Sequence, residues 1–184
     1  MAINLKKGNS ANIGIKHALV GLGWNPSSGG DDYDLDASAF MIGANNKIPR
    51  DEFFVFYNNQ VSYDGSVKSS GDDRTGGNSD GGDDESLTVD LDAVDPRIKE
   101  IIFVVSIYEC FDKGQHFGQV DDAYIRIVDD DTGREIARYQ LDDDFDGATL
   151  IEFGKLVRNG KSWTFVALGN AYVKELDYLV NKYA

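Results

Sequence analysis

Short apolar segments separated by Gly, Asn and Asp recur along this chain, and they predict a protein built from β-strands. Alternation supports the prediction where Ala137, Tyr139 and Leu141 fall on one pleat face while Arg138 and Gln140 fall on the other. Several short strands bounded by turn residues indicate an all-β fold, a β-sandwich of two mainly antiparallel sheets. The segments are residues 18–22, 37–42, 53–57, 87–91, 101–107, 124–128, 136–141, 150–157 and 163–168.

Three local signals refine this outline. Residues 101–107 are apolar on both pleat faces, which predicts a central, buried strand. The pair Asn159-Gly160 lies between two apolar segments and predicts a hairpin with a type I′ turn. From about Lys174 onward the apolar residues follow helical spacing, which predicts a short amphipathic C-terminal helix packed on the sandwich. Its apolar positions are Leu176, Leu179, Val180 and Tyr183.

Length, charge and cysteine content limit the classes of protein to which this chain can belong. The chain has 184 residues and no linker or shift in composition, so we expect one domain over residues 1–184. A net charge of −14 argues against direct nucleic-acid binding. Cys110 is the only cysteine, no secretory signal opens the sequence, and no apolar run reaches the roughly 20 residues that span a bilayer. We therefore expect a cytoplasmic protein.

Four aspartates crowd into residues 31–36, directly after two glycines, and the glycine-rich stretch 58–85 concentrates further carboxylate and amide side chains. Hard cations such as Ca²⁺ take about six to eight oxygen ligands, and glycines let the backbone fold around an ion. Softer metals prefer His or Cys, which these stretches lack. Solvated acidic loops are the alternative, but these stretches lie between apolar strands, and we favour calcium. Two other acidic clusters, 129–131 and 142–146, are interpreted as solvated turns.

Two known calcium motifs do not fit. Asp32, Asp34 and Asp36 have the spacing of an EF-hand start, but Ala37 stands where that loop needs glycine and Gly43 where it needs glutamate. A stretch similar to one calcium-binding nonapeptide of a β-helix occurs once, whereas that architecture needs a stack of repeats. A calcium site here must therefore be of another kind.

Eight short motifs follow one another along the chain in a specific order. They are Gly-Leu-Gly-Trp at 21–24, Asp-Leu-Asp-Ala-Ser-Ala-Phe at 34–40, Phe-Tyr-Asn-Asn at 56–59, Asp-Gly-Ser-Val at 64–67, Gly-Asp-Asp-Arg-Thr-Gly at 71–76, Gly-Asp-Asp-Glu at 82–85, Phe-Gly-Gln-Val at 117–120 and Ala-Tyr-Ile-Arg-Ile-Val at 123–128. This order resembles the TerD family over almost the whole chain.

The resemblance implies a tellurium-resistance and general stress-response protein, a β-sandwich whose acidic loops bind two calcium ions, with no enzymatic activity. The chain departs from the family at Asp73, where Asn is more frequent, in the small residues 78–81, and in the reduced glycine-rich turn 169–172. Carried over by position, the implied calcium ligands are Asp34, Asp36, Asn58, Asn59, Asp64, Asp72, Asp73, Asp83, Asp84 and Glu85.

Catalytic signals are weak. His17 and His116 belong to no metal or triad motif, Cys110 follows a buried strand, and no nucleophile elbow or P-loop occurs. The first hypothesis is a non-enzymatic calcium-binding domain whose loops form a calcium-stabilised surface for protein partners of a stress-response complex. A calcium-dependent hydrolase or lectin-like domain is the alternative. A third hypothesis is calcium-bridged attachment at a membrane surface.

Overall fold

The computed structural model describes residues 7–25, 32–77, 82–141 and 145–184, and it gives no side-chain description for residues 11–13. The described residues form strands and two short α-helices, joined by loops and single 3-10 turns at Ala44–Asn46, Asp51–Phe53 and Phe117–Gln119. The strands are β1 Ser10–Ile13, β2 His17–Asn25, β3 Leu35–Ile42, β4 Phe54–Val55, β5 Val67–Ser69, β6 Glu85–Asp90, β7 Glu100–Ile107, β8 Asp121–Asp129, β9 Arg134–Gln140, β10 Leu150–Asn159 and β11 Ser162–Tyr172. The helices are α1 Cys110–Lys113 and α2 Asp177–Tyr183.

The strands assemble into two sheets. One has the order β1-β11-β10-β7-β3-β4 and the other the order β5-β6-β2-β8-β9. Neighbouring strands run antiparallel in both sheets. Side chains from the facing sides of the two sheets form one apolar core, so the predicted β-sandwich is confirmed.

Strand β7 shows why the apolar pattern predicted the centre of the fold. It lies between β10 and β3, and every residue from Ile101 to Ile107 is buried. One face of β7 packs into the inter-sheet core, while Ile102 and Val104 on the other face belong to a second apolar cluster. A strand covered on both faces needs apolar residues at every position, and the prediction of a central strand is confirmed.

Helix α2 covers the outer face of the six-stranded sheet. Leu179 and Tyr183 pack into the second cluster with Phe40 and Phe54. The predicted C-terminal helix is confirmed, although it begins at Asp177, three residues after the predicted start at Lys174. Within the described part of the chain, none of the helices has the length and apolar character needed to span a bilayer.

A buried carboxylate holds α2 in place. Glu152 of β10 is only 1% exposed. It accepts hydrogen bonds from Lys182 Nζ (2.8 Å), Asn170 Nδ2 (3.0 Å), Tyr172 Oη (2.9 Å) and Tyr183 Oη. These partners favour the charged carboxylate and lower the pKa of Glu152 despite its burial.

The hairpin between β10 and β11 is confirmed, but its turn lies one residue later than predicted. Asn159 still pairs with Ser162, so Gly160 and Lys161 form the turn. Gly160 has a φ of 64°, as expected for glycine at the first central position of a type II′ turn. Of the acidic clusters interpreted as turns, 129–131 lies at the β8–β9 connection, and residues 142–144 lie outside the described residues.

Candidate functional site

Three of the predicted calcium ligands come together at one rim of the sandwich. Asp34 directly precedes β3, Asp36 lies within it, and Asp72 lies in the loop between β5 and β6. Their carboxylate oxygens lie within 4.8 Å of one another. A cavity of about 480 Å³ opens beside them. Its remaining lining residues are Asp32, Tyr57, Arg74, Thr75, Tyr108, Glu109 and Lys113.

The three carboxylates lie close together and partly out of water. Asp36 is 4% exposed, and Asp34 Oδ1 is buried without a hydrogen-bond partner. Burial and the charge of Asp72 raise the pKa of Asp34 to about 6. Burial and the charges of Asp34 and Asp72 raise the pKa of Asp36 to about 7. A cation between these oxygens would remove the repulsion and supply the missing partner of Asp34.

Glu85 supports this cluster from the opposite sheet. It begins β6, and its two oxygens accept the backbone N–H groups of Ala37 (2.8 Å) and Asp73 (3.1 Å). These bonds link the β3 strand that carries Asp36 to the loop that carries Asp72. Burial raises the pKa of Glu85 to about 8, although both backbone bonds act in the opposite direction. Glu85 thus ties the two sides of the cluster together.

The backbone of residues 32–34 is fixed by three separate elements. Its successive carbonyl oxygens accept hydrogen bonds from Gln115 Nε2 (3.1 Å), Trp24 Nε1 (3.0 Å) and the Tyr108 N–H (2.9 Å). These donors come from the loop after α1, from β2 and from the residue after β7. Trp24 and Gln115 were not among the predicted site residues, because the indole of Trp24 offers no oxygen and Gln115 lies outside both acidic stretches. The Gly-Leu-Gly-Trp motif was the available signal for Trp24.

The second acidic loop is held by its own side chain and by Trp24. Asp73 Oδ1 accepts the backbone N–H groups of Thr75 and Gly76, each at 3.0 Å. The next N–H, that of Gly77, donates to the Trp24 carbonyl (2.9 Å). The Asp73 carboxylate therefore shapes the loop through these bonds, which are the local turn bonds typical of Asp.

Asp83 and Asp84 bind to β8 and β2, respectively, and are not part of the Asp34, Asp36 and Asp72 cluster. Asp83 accepts two hydrogen bonds from Arg126 (2.9 Å each) and one from Tyr124 Oη (2.9 Å). Asp84 Oδ2 accepts the Trp24 N–H at 2.8 Å. The structure therefore gives Asp83 an ion pair with β8 and places Asp84 at the end of β2, three residues after the stretch 78–81, which it does not describe.

The remaining predicted ligands are Asp64, Asn59 and Asn58, and the hydrogen bonds of Asp64 and Asn59 stabilise other loops. Asp64 Oδ1 accepts the N–H and hydroxyl of Ser66, and its Oδ2 accepts the Asp95 N–H at 2.7 Å. These bonds lower the pKa of Asp64 in spite of burial. Asn59 donates to the backbone carbonyl at the start of β4 (2.7 Å), and Asn58 is exposed in the adjoining turn. Asp64 is not part of the carboxylate cluster formed by Asp34, Asp36 and Asp72.

The two histidines and the cysteine, the remaining candidates for a base or a nucleophile, lie in surroundings that do not activate them. His17 Nδ1 lies 2.8 Å from Asp131 on an exposed turn. His116 Nδ1 accepts the Gly147 N–H at 3.3 Å. Cys110 is 1% exposed, and burial raises the pKa of its thiol, the reverse of the change that activates a cysteine. These surroundings give no sign of catalysis.

Comparison with known proteins identifies relatives of this chain. The family model described as TerD domain matches residues 1–183. The chain is 44% identical over 189 residues to the tellurium resistance protein TerD of Serratia marcescens, covering 100% of this chain and 97% of that protein. It is 40% identical over 190 residues to general stress protein 16U of Bacillus subtilis (strain 168), again covering 100% of this chain and 97% of the relative. A crystal structure of a homologue of telluride resistance protein from Streptomyces coelicolor A3(2) shares the fold, with a TM-score of 0.77, 25% identity and coverage of 90% of this chain and 95% of that one.

Proposed function

Because the chain belongs to the TerD family, we propose that it is a non-enzymatic calcium-binding protein of the tellurium-resistance and stress-response type, in which Asp34, Asp36 and Asp72 hold a Ca²⁺ ion. The observation that carries the proposal is the convergence of these three carboxylates within 4.8 Å. One of their oxygens, Asp34 Oδ1, is buried without a partner.

The chemistry of the donor set supports calcium. Each of the three residues offers carboxylate oxygens, the ligand type that Ca²⁺ prefers, and an ion that takes about six to eight oxygen ligands can complete its shell with water. Burial and mutual repulsion raise the pKa values of Asp34 and Asp36, so the ion-free protein carries these two carboxylates in an unfavourable setting. An ion would supply positive charge at this place and favour the ionised form of both side chains.

The position of the site suggests how calcium would act. Asp36 belongs to the six-stranded sheet, whereas Asp72 lies in a loop between two strands of the five-stranded sheet. An ion bound to both would join the two sheets at their rim and stabilise the surface formed by the acidic loops. The expectation of a second ion stays a prediction, and its candidate ligands Asp83 and Asp84 follow Gly82, which comes directly after the undescribed residues 78–81.

The experiment is a calorimetric calcium titration of chelator-stripped protein, with magnesium as the competitor and the melting temperature followed in parallel. We expect saturable calcium binding together with a rise in melting temperature, since an ion that binds only the folded form adds its binding free energy to stability. A titration without heat of binding, together with an unchanged melting temperature, would show that the acidic loops are solvated and bind no calcium, and it would refute the proposal.

A second candidate function is a calcium-dependent ligand-binding or hydrolase domain of lectin-like type. The cavity beside the carboxylates favours it, because Tyr57 and Tyr108 provide aromatic walls while Arg74 and Lys113 provide cations at the rim. An open position on the ion could then bind a hydroxyl or phosphate oxygen of a ligand. A screen of sugars and phosphate esters, with and without calcium, tests this, and uniformly blank results would remove it.

A further inference from the structure

The two acidic loops that carry the proposed calcium ligands meet at one apolar residue, Trp24. We infer that Trp24 is a positioning residue of the calcium site, which sets the distance between Asp34 and Asp36 on one side and Asp72 on the other. The inference rests on the proposed function, because it concerns how that site is assembled. Nothing in the side-chain chemistry of Trp24 makes it a ligand.

The first loop is attached to the indole ring. Trp24 is 2% exposed at the end of β2, and its Nε1–H donates to the Tyr33 carbonyl at 3.0 Å. This is the middle one of the three carbonyls in residues 32–34 that are fixed by hydrogen bonds. Indole N–H is a donor only and has one direction, so this bond orients the segment that leads directly into Asp34.

The second loop is attached to the backbone of Trp24 and lies against its ring. The Trp24 carbonyl accepts the Gly77 N–H at 2.9 Å. The preceding residue, Gly76, has a φ of 65°, and a Cβ there would lie 2.5 Å from the Trp24 Nε1 atom. Gly76 therefore allows the loop that carries Asp72 to approach the indole more closely than any residue with a side chain could.

A third bond fixes Trp24 itself. Its backbone N–H donates to Asp84 Oδ2 at 2.8 Å, and the Asp84 N–H in turn donates to the Leu22 carbonyl at 2.8 Å. One residue thus contacts the chain before β3, the chain after β5 and the chain before β6. A shift of either acidic loop caused by ion binding must change the surroundings of the indole, which makes Trp24 a reporter as well as a positioning residue.

The test uses Trp24→Phe and the matched control Trp163→Phe. Phenylalanine keeps an aromatic ring but removes the Nε1–H donor, so we expect the calcium dissociation constant of Trp24→Phe to rise about ten-fold, equal to about 1.4 kcal/mol. Trp163 is also buried, but it lies in β11 under the Arg158 guanidinium, 4.4 Å from its ring centroid. The control should therefore lose stability without losing calcium affinity.

The control variant provides a second, spectroscopic readout. Trp24 is the only tryptophan left in Trp163→Phe, so its emission should change during the calcium titration with the same midpoint that calorimetry gives. If Trp24→Phe does not fold, the emission of Trp24 in Trp163→Phe is the measurement that tests the inference.

Separate outcomes distinguish the inference from the proposed function. No calcium binding by the wild-type protein overturns both. Calcium binding with wild-type affinity in Trp24→Phe, or calorimetric binding that leaves the Trp24 emission of Trp163→Phe unchanged, overturns the inference alone and leaves the calcium site standing.

Discussion

Replacing Asp36 by Asn should raise the stability of the calcium-free protein and lower its affinity for calcium. Asn has nearly the same size and keeps one oxygen donor, but it carries no charge. The calcium-free variant no longer has a carboxylate buried beside Asp34 and Asp72. The calcium-bound variant lacks one of the three anionic ligands proposed here.

The magnitude follows from the surroundings of Asp36. Its pKa rises from 3.8 to about 7, and this corresponds to about 4 kcal/mol that disfavours the charged carboxylate in the folded, calcium-free protein. Because the folded pKa lies above the ordinary value, this cost grows as the pH rises from about 4 through about 7. An Asn amide at a site that is 4% exposed also loses water, so we expect about half of that free energy, roughly 2 kcal/mol, to be recovered near neutral pH.

Thermal unfolding and calorimetry measure both effects. For a chain of this length, 2 kcal/mol corresponds to a rise of about 4 to 8 °C in the melting temperature of the calcium-free protein. The calcium dissociation constant should rise at least about ten-fold, because the charge of the ligand set determines calcium affinity. A ten-fold rise in the dissociation constant equals about 1.4 kcal/mol, so saturating calcium should remove most of the roughly 2 kcal/mol by which the calcium-free variant exceeds the calcium-free wild type in stability.

The matched control is Asp64→Asn. Asp64 was also a predicted ligand, but its oxygens accept the Ser66 and Asp95 N–H groups, and its pKa is lowered. This substitution should destabilise the protein with and without calcium by about 1 to 2 kcal/mol, since it removes charge-assisted hydrogen bonds, and leave calcium affinity unchanged. The reasoning fails if Asp36→Asn lowers the melting temperature of calcium-free protein while binding calcium as the wild type does.

Three further predictions test other parts of the structure. Calcium binding must displace protons from Asp34 and Asp36, whose pKa values are about 6 and about 7. Calcium affinity should therefore fall as the pH is lowered from about 8 to about 6. Calorimetry in buffers of different protonation enthalpy should detect the released protons. Gly21→Ala should cost about 1 to 3 kcal/mol in urea unfolding, because its Cβ would collide with the Asp83 carboxylate. Glu152→Gln should cost about 2 to 3 kcal/mol and speed hydrogen exchange in α2, and the wild-type helix should loosen as the pH falls below about 4.5 through the lowered pKa of this carboxylate.

The apolar pattern predicted the fold because most strands are buried on at least one face. Strand β7 was predicted almost to the residue. The short strands β1 and β5 and the helix α1 were missed, since elements of three or four residues leave no measurable periodicity. The hairpin turn shifted by one position because Gly160 alone supplies the positive φ, while Asn159 remains paired in β10.

The site was less predictable than the fold. Composition and the family resemblance named ten oxygen-bearing residues, and three of them converge. The Asp83 carboxylate pairs with Arg126 on β8, which is distant in sequence and separated from β6 by β2 in the sheet, and local sequence does not reveal that pairing. The bond from Trp24 to the Tyr33 carbonyl is a tertiary contact of the same kind, because a glycine-tryptophan motif alone does not show which backbone group the indole will meet.

Asp36 lies in the six-stranded sheet and Asp72 in a loop between two strands of the other sheet, and this arrangement affects the stage of folding at which a calcium ion could bind. Their approach requires both sheets to be complete and facing each other, and the pairings of β3 with β7 and of β2 with β8 are distant in sequence. Contacts of this kind form late during folding. An ion held between these residues would find its site only after most of the protein has assembled, and it would resist separation of the sheets afterwards. Calcium would then lengthen the lifetime of the folded molecule while leaving the speed of folding almost unchanged.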